Sequence, residues 1–370
     1  MLTTTPPTHI LLVSGIYYPD IGGPATFVPK LAENLQARGF RVSTLALTDS
    51  KNFERPPENW NRTFIQRKLK LPLRFLITVL AIRKKSGRHS QIFSNGLYEE
   101  AALASLLGCK LSVAKIVGDP IWERYRNKVD PGIGLEEFNQ EPIRNLKYIL
   151  QRKFLVWSLN RFNVVTTPSQ QLSNLVATWG VREKAIVIAN GIQVREVSSA
   201  TKDYDVISVS RLVSWKNVDK IIHTCSALNF RLAIVGSGPE ENRLKALAAQ
   251  QDVVFLGDLD NDQVFAHLSK SRVFALLSNY EGLSHSLLEA MNLEIPVIVS
   301  NTPGNMAVIQ HERNGIVVDL NSESELVSSF KKLVTDGSYA KELAQNAKQD
   351  IRTYFNLERQ LEQFVKLLRV

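Results

Sequence analysis

Two doubly wound α/β domains, Rossmann-like in plan, are the architecture predicted for this chain, and three observations predict it. At 370 residues and 44% hydrophobic composition the chain exceeds what one core usually serves. Apolar runs of buried-strand length alternate with helix-period patterns in both halves. A polar stretch from Gln193 to Asp203 separates the two series. The predicted organisation is a first domain at 1–192, a second at 193–354, facing it across a cleft, and a helix at 355–370 that packs back on the first.

The first series opens with the apolar run Ile10 to Ser14, then a loop containing Gly22 and Gly23, then Phe27, Leu31 and Leu35 on one helix face up to Gly39. Val42 to Leu47 reads as the next strand, completing a βαβ unit, and Ile92 to Ser94, Ser112 to Val117 and Val164 to Thr167 extend it toward a parallel sheet. The second series places strands at Asp205 to Val209, Arg231 to Val235, Val253 to Leu256, Val273 to Leu277, Pro296 to Val299 and Gly315 to Val318. Helices are expected at Asp262 to Lys270 and Ser286 to Asn292, and a last one over Leu357 to Leu368 keeps Leu357, Leu361, Phe364 and Leu368 on one side.

Bulk properties narrow the class. Cys109 and Cys225 are the only cysteines, which argues against a disulfide framework or cysteine metal cluster and fits a reducing compartment. No signal peptide is expected at the N-terminus, and the longest apolar stretch, Leu71 to Ile82, is too short to span a bilayer and contains Pro72 and Arg74. Of the net charge of +9, residues 1–190 carry +12 (26 Lys+Arg against 14 Asp+Glu), leaving −3 for the rest.

The richest segment is Ser278 to Met291. A strand delivers Glu281, Gly282 relaxes the backbone, and a helix starts near Ser284, so Gly282, Leu283 and Ser284 are expected to offer amides to a diphosphate. Glu289 lies eight residues beyond Glu281, far enough to reach another part of the same ligand. Arg211 and Lys216 follow the strand Asp205 to Val209 and are expected at the carboxyl edge of the second sheet, where open α/β sheets bind ligands. Fixed cations there stabilise a departing diphosphate more in the transition state than in the ground state. Each of these residues, taken singly, has an ordinary reading as a solvated surface charge.

Gly22 and Gly23 would let backbone amides approach a phosphate, with a tight turn as the plainer reading. Gly236, in Gly236-Ser237-Gly238-Pro239, lacks the third glycine of a dinucleotide fingerprint, which leaves nucleotide contact or a turn. Asp119 follows the strand Ser112 to Val117 and is expected either to orient a substrate or to start a helix. Asp258-Leu259-Asp260 has a metal-binding spacing, but it leads into a helix and reads better as a cap, so no metal is predicted.

Taken together, GGPAT at Gly22 to Thr26, IANGI at Ile188 to Ile192, SRLVSWK at Ser210 to Lys216, IVGSGPEENRL at Ile234 to Leu244 and EGLSHSLLEAM at Glu281 to Met291 resemble glycosyltransferase family 4. Those enzymes are retaining, have the GT-B fold and belong to the glycosyl transferases group 1. The resemblance spans nearly the whole chain. It implies that Arg211 and Lys216 hold the diphosphate of a UDP- or GDP-sugar, that Glu281 contacts the sugar, Glu289 the ribose, and that Asp119 stands beside the reacting sugar. No cofactor is implied. Gly282-Leu283-Ser284 replaces the family's frequent Gly-Phe-Gly, and Met306-Ala307 its late Pro-Glu, which leaves the donor open.

No acidic residue occurs from Asn59 to Tyr98, while Arg62, Arg67, Lys68, Lys70, Arg74, Arg83, Lys84, Lys85 and Arg88 bracket the apolar run Leu71 to Ile82. This pattern suits either adsorption of residues 62–88 to an anionic membrane or a core helix with solvated basic ends. The expectation is a cytoplasmic transferase, peripheral on the inner face of the membrane, that glycosylates a saccharide or lipid-linked acceptor in surface polysaccharide or glycolipid assembly. The rival readings are a nucleotide-sugar epimerase of the same architecture and a non-enzymatic basic membrane- or nucleic-acid-binding protein. No nucleic-acid motif supports the latter.

Overall fold

The computed structural model describes residues 8–18, 20, 23–49, 60–87, 90–130, 132–140, 145–182, 185–194 and 201–369. The chain divides into two compact units. Unit 1 takes in residues 1–129, 138–188 and 361–370, and unit 2 residues 130–137 and 189–360.

Unit 1 contains β1 (His9–Ser14), α1 (Gly23–Ala37), β2 (Arg41–Thr48), β3 (Asn61–Gln66), α2 (Leu71–Lys85), β4 (Gln91–Asn95) and α3 (Tyr98–Leu106). It continues with β5 (Lys110–Lys115), α4 (Pro120–Lys128), the second half of α5 (Leu135–Gln140), whose first half is counted with unit 2, α6 (Leu146–Leu159), β6 (Val164–Thr167), α7 (Gln170–Thr178) and β7 (Ile186–Val187). Seven parallel strands form the order β3-β2-β1-β4-β5-β6-β7. The central strands read as unbroken apolar runs because helices cover both of their faces; Ile10 to Val13 are fully buried. Right-handed crossovers set α1 on one face and α2 and α3 on the other, since β1 to β2 and β3 to β4 leave in opposite directions. α3 packs against both α2 and α6.

Unit 2 contains β8 (Tyr204–Val209), α8 (Val218–Leu228), β9 (Leu232–Val235), α9 (Glu241–Leu247), β10 (Val253–Gly257), α10 (Asn261–Ser269) and β11 (Ser271–Leu276). After it come α11 (His285–Asn292), β12 (Val297–Ser300), α12 (Pro303–Met306), β13 (Ile316–Val318), α13 (Glu323–Thr335) and α14 (Gly337–Tyr354). Its six strands are parallel in the order β10-β9-β8-β11-β12-β13. Two apolar clusters fill it, one centred on Phe274, Leu287 and Met291 and the other on Ile221, Leu232 and Phe330.

The last helix, α15 (Leu357–Leu368), begins in unit 2 and ends in unit 1. There the fully buried Phe364 meets Phe27 and Phe93 edge-on, with ring centroids 5.3 Å from each. Lys115 lies in the same cluster, its ammonium 3.9 Å from the Phe27 ring centre, and burial pushes its pKa down to about 7.

The fold expected from the sequence, two parallel α/β domains, is the one observed. The short edge strands β3 and β7 are additional to those expected, with Ile65 the one buried residue between them. Arg67 corrects one expectation: its guanidinium pairs with Asp20 and lies 3.6 Å from Asp49, so it ties the loops after β1 and β2 rather than facing outward. Arg74 likewise turns back to the Arg67 carbonyl at 2.8 Å. Arg88 lies outside the described residues.

Candidate functional site

In an open parallel sheet, a ligand crevice forms at the carboxyl ends of the two strands where the strand order reverses. In unit 2 these are β8 and β11, adjacent in the sheet. The loop after β8 holds Arg211 and Lys216; the loop after β11 holds Glu281.

Three hydrogen bonds fasten these loops to each other. Asn217, in the left-handed region at φ 47°, donates its side-chain amide to the Leu277 carbonyl and to Asn279 Oδ1, both at 2.7 Å. Asn is among the few side chains that accept this backbone readily. The Asn279 amide in turn donates to the Trp215 carbonyl at 2.8 Å. Held this way, the Lys216 ammonium donates to Glu281 Oε1 and forms an ion pair with it. The Ser278 hydroxyl donates to the same oxygen at 2.5 Å. Glu281 Oε2 receives no hydrogen bond from any described residue, which leaves one face of a fixed carboxylate for a hydroxyl donor.

Behind Glu281 a further layer holds the loop. The Ser300 hydroxyl donates to the Ser278 carbonyl at 2.5 Å, and Asn305 Nδ2 donates to the Ser300 carbonyl at 3.0 Å. Gly304 passes so close that a Cβ there would stand 1.9 Å from the Glu281 carbonyl oxygen. Only glycine fits. Ser278 opens the segment singled out in the sequence, whereas Ser300, the last residue of β12, and Asn305, in α12, carried no signal there.

Arg211 is exposed, with no side-chain hydrogen bond or ion pair to any described residue, while Leu212 beside it is fully buried and anchors the loop. Ser284 caps α11, accepting from the Leu287 amide at 3.3 Å, and Ser286 donates to the Val209 carbonyl at 2.9 Å. The start of α11 is thereby fixed to the end of β8. Glu289, half-buried, follows Ser286 by one turn on the same helix face. Gly282 lies between Glu281 and the cap. Leu283 belongs to the core by its side chain and to the site only through its backbone, its carbonyl accepting from Asn190 at 3.4 Å.

Gly236, at φ 121°, is required by packing: a Cβ there would stand 2.1 Å from the Ser210 carbonyl oxygen. It seats the loop after β9 against the loop that carries Arg211. Asp260 caps α10 through a capping box with Gln263, and Asp258 accepts from Ser237 at 2.6 Å, so both acids of the Asp-x-Asp have partners within the fold. Among the described residues, no group of three His, Cys, Asp or Glu side chains is arranged to hold a metal ion.

In unit 1, Gly23 starts α1, and Gly22 lies outside the described residues. Asp119 requires a correction. Its carboxylate is fully buried, accepts from the Ile121 and Trp122 amides at 3.0 and 3.1 Å and from Asn139 at 3.3 Å, and pairs with Arg152 at 2.6 Å. Both oxygens are engaged in capping α4 and binding α6, so this carboxylate acts as an internal tie rather than presenting itself to a ligand.

Residues 192–350 match the family model described as glycosyl transferases group 1. An uncharacterized glycosyltransferase of Methanocaldococcus jannaschii is 26% identical over 270 residues, 66% of this chain and 69% of that protein. A capsular polysaccharide biosynthesis glycosyltransferase of Staphylococcus aureus is 23% identical over 56% of each chain, so the matched part spans little more than half of that relative. Among solved structures, sucrose-phosphate synthase from Thermosynechococcus elongatus superposes with a TM-score of 0.79 at 18% identity, covering 98% of both chains. The HepE protein of Anabaena in complex with UDP and glucose gives 0.77 at 18% identity over 98% of this chain and 99% of that one. The fold is that of these GT-B glycosyltransferases, and the match in unit 2 is to an enzyme domain that transfers glycosyl groups.

Proposed function

We propose that the protein is a retaining, metal-independent glycosyltransferase of family 4 that moves a sugar from a UDP- or GDP-sugar to a saccharide or lipid-linked acceptor. The observation that carries this reading is the Lys216–Glu281 ion pair at the β8/β11 reversal point, with the exposed Arg211 in the loop that bears Lys216. In this reading unit 2 binds the donor and unit 1 the acceptor. The UDP named for the HepE complex and the capsular polysaccharide named for the Staphylococcus relative support a nucleotide-sugar donor and a surface-glycan product.

Arg211 grips the diphosphate in the plane of its guanidinium, and Lys216 adds a point charge. As the bond from the anomeric carbon to the diphosphate oxygen breaks, negative charge collects on that oxygen, where the two cations lower its energy. The acceptor hydroxyl attacks the same face of the sugar, and its proton passes to the departing diphosphate. No protein nucleophile is used. Glu281, already fixed by Lys216 and Ser278, offers Oε2 to a sugar hydroxyl, and Glu289 holds the ribose. Amides near Gly282 and Ser284 complete the phosphate seat. The protein works peripherally at the inner face of the membrane through residues 62–88.

A thermal-shift panel of UDP-, GDP- and ADP-sugars in EDTA tests the donor site. One nucleotide class is expected to raise Tm in the wild type and to lose that effect in Arg211→Ala and Glu289→Ala. Stabilisation that appears only after a divalent cation is added would overturn the metal-free reading. A product of inverted anomeric configuration by NMR would overturn retention.

A further inference from the structure

α2 and α6 both turn apolar side chains to the surface. On α2, Leu73, Leu76 and Leu80 are 51 to 56% exposed at helical spacing, so they form one stripe. On α6, Leu146 and Leu150 are 67% and 56% exposed, and the stripe continues at Lys153 and the partly exposed Trp157. The two helices are joined edge to edge by Phe75 and Phe154, with ring centroids 6.3 Å apart, and by their common neighbour α3. The two stripes therefore belong to one layer of unit 1.

Charge identifies what would cover this layer. Neither 59–98 nor 145–162 contains an acidic residue. Lys68, Lys70 and Lys84 are exposed at the ends of α2, and Lys147 and Lys153 are exposed on α6. Arg67 and Arg74, as shown above, are turned inward and do not count toward this field. A leucine surface rimmed by cations, with a tryptophan beside Arg161, matches the boundary between headgroups and acyl chains in an anionic bilayer. A second copy of the chain would set like charge against like.

Topology adds the orientation within unit 1. Crossover helices run opposite to the strands they connect, so Leu71 follows the carboxyl end of β3 closely, and Leu146 starts α6 at that same carboxyl edge. Loops at this edge are where a parallel α/β sheet binds its ligand. We infer that the outward faces of α2 and α6 together form a single docking surface for an anionic bilayer, placed so that a lipid-borne acceptor meets the carboxyl edge of the first sheet. This rests on the proposed acceptor role of unit 1 and adds α6 to the segment 62–88.

The test is co-sedimentation with vesicles of phosphatidylglycerol and phosphatidylcholine against phosphatidylcholine alone, comparing wild type with Leu76→Glu/Leu80→Glu and with Leu146→Glu/Leu150→Glu. The sites are exposed, and unchanged thermal unfolding verifies the fold of each variant. Wild type is expected to bind the anionic vesicles only, less tightly as salt rises from about 0.05 to about 0.5 M. Each double variant is expected to bind at least about tenfold more weakly. Wild-type affinity in the α6 variant would overturn the two-helix surface, and equal binding to neutral vesicles would overturn the electrostatic part. A dimer in light scattering that the α2 variant dissociates, without vesicle binding, would assign the face to a second copy instead. The donor-induced thermal shift is expected to persist in both variants; its absence from the wild type would count against the transferase reading and not against the surface.

Discussion

Arg211 and Lys216 separate two effects that mutation often confuses. Arg211 is exposed and makes no side-chain hydrogen bond or ion pair with a described residue, so Arg211→Ala is expected to change stability by no more than about 0.5 kcal/mol while lowering transfer on the order of a hundredfold. Lys216→Ala leaves Glu281 buried without its cation, and it is expected to cost about 3 kcal/mol of stability in addition to activity. Thermal unfolding and donor turnover measured on the same two variants check both. Equal loss of stability would mean that Arg211 has a partner in the folded state. Glu100 is a different case, because burial chiefly, with Glu99 nearby, pushes its pKa up to about 7 against the opposing pull of its backbone hydrogen bond and of Arg74 and Arg124. An acid whose folded pKa is raised favours the folded state fully only below its unfolded value. That contribution is lost as pH rises from about 4.5 to about 7, so stability falls across this window. Glu100→Gln is expected to raise Tm at pH 8 and to leave it unchanged near pH 4; a gain of equal size at both would exclude the titration as its cause.

Elements differ in how legibly the chain announces them. β1, β2, β6 and the strands of unit 2 other than the half-buried edge strand β10 are short, mainly apolar and largely buried runs, and that burial is visible in composition alone. β3 lies at a sheet edge with only Ile65 buried, and β7 has two residues, so neither carries the pattern that marks an interior strand. Asp260 and Asp119 precede helices in similar ways. The first reads plainly as a cap because Gln263 completes the box, whereas the second conceals a buried ion pair with Arg152, 33 residues on, that no local pattern reveals. The same holds for Ser300, whose hydroxyl reaches the Ser278 carbonyl, 22 residues back, only because β11 and β12 lie side by side. The position of Lys216 and Glu281 just after strands was readable; their pairing was not. Gly304→Ala brings this supporting layer to a test: the added carbon must displace the Glu281 carbonyl, and a loss of about 1 to 3 kcal/mol of stability with a larger fall in transfer is expected. A variant as active as wild type would show that the loop has room to move.

For the whole molecule, the uneven charge of the two halves, +12 against −3, follows the division of labour proposed here. The second half handles an anionic ligand with a few placed cations, while the first carries its excess on helices that face outward. Raising salt is therefore expected to weaken attachment to anionic vesicles more steeply than it weakens donor binding, since exposed charges are screened more than the half-buried Lys216. Parallel salt titrations of vesicle binding and donor-induced thermal shift measure the difference. The return of α15 to unit 1 has a consequence for biosynthesis. Phe364 fills the space between Phe27 and Phe93, yet it is polymerised only after all of unit 2. As the chain emerges from the ribosome, unit 1 must wait with an open core while unit 2 matures, so a chain stopped before residue 361 would lose the earlier-made unit and keep the later one.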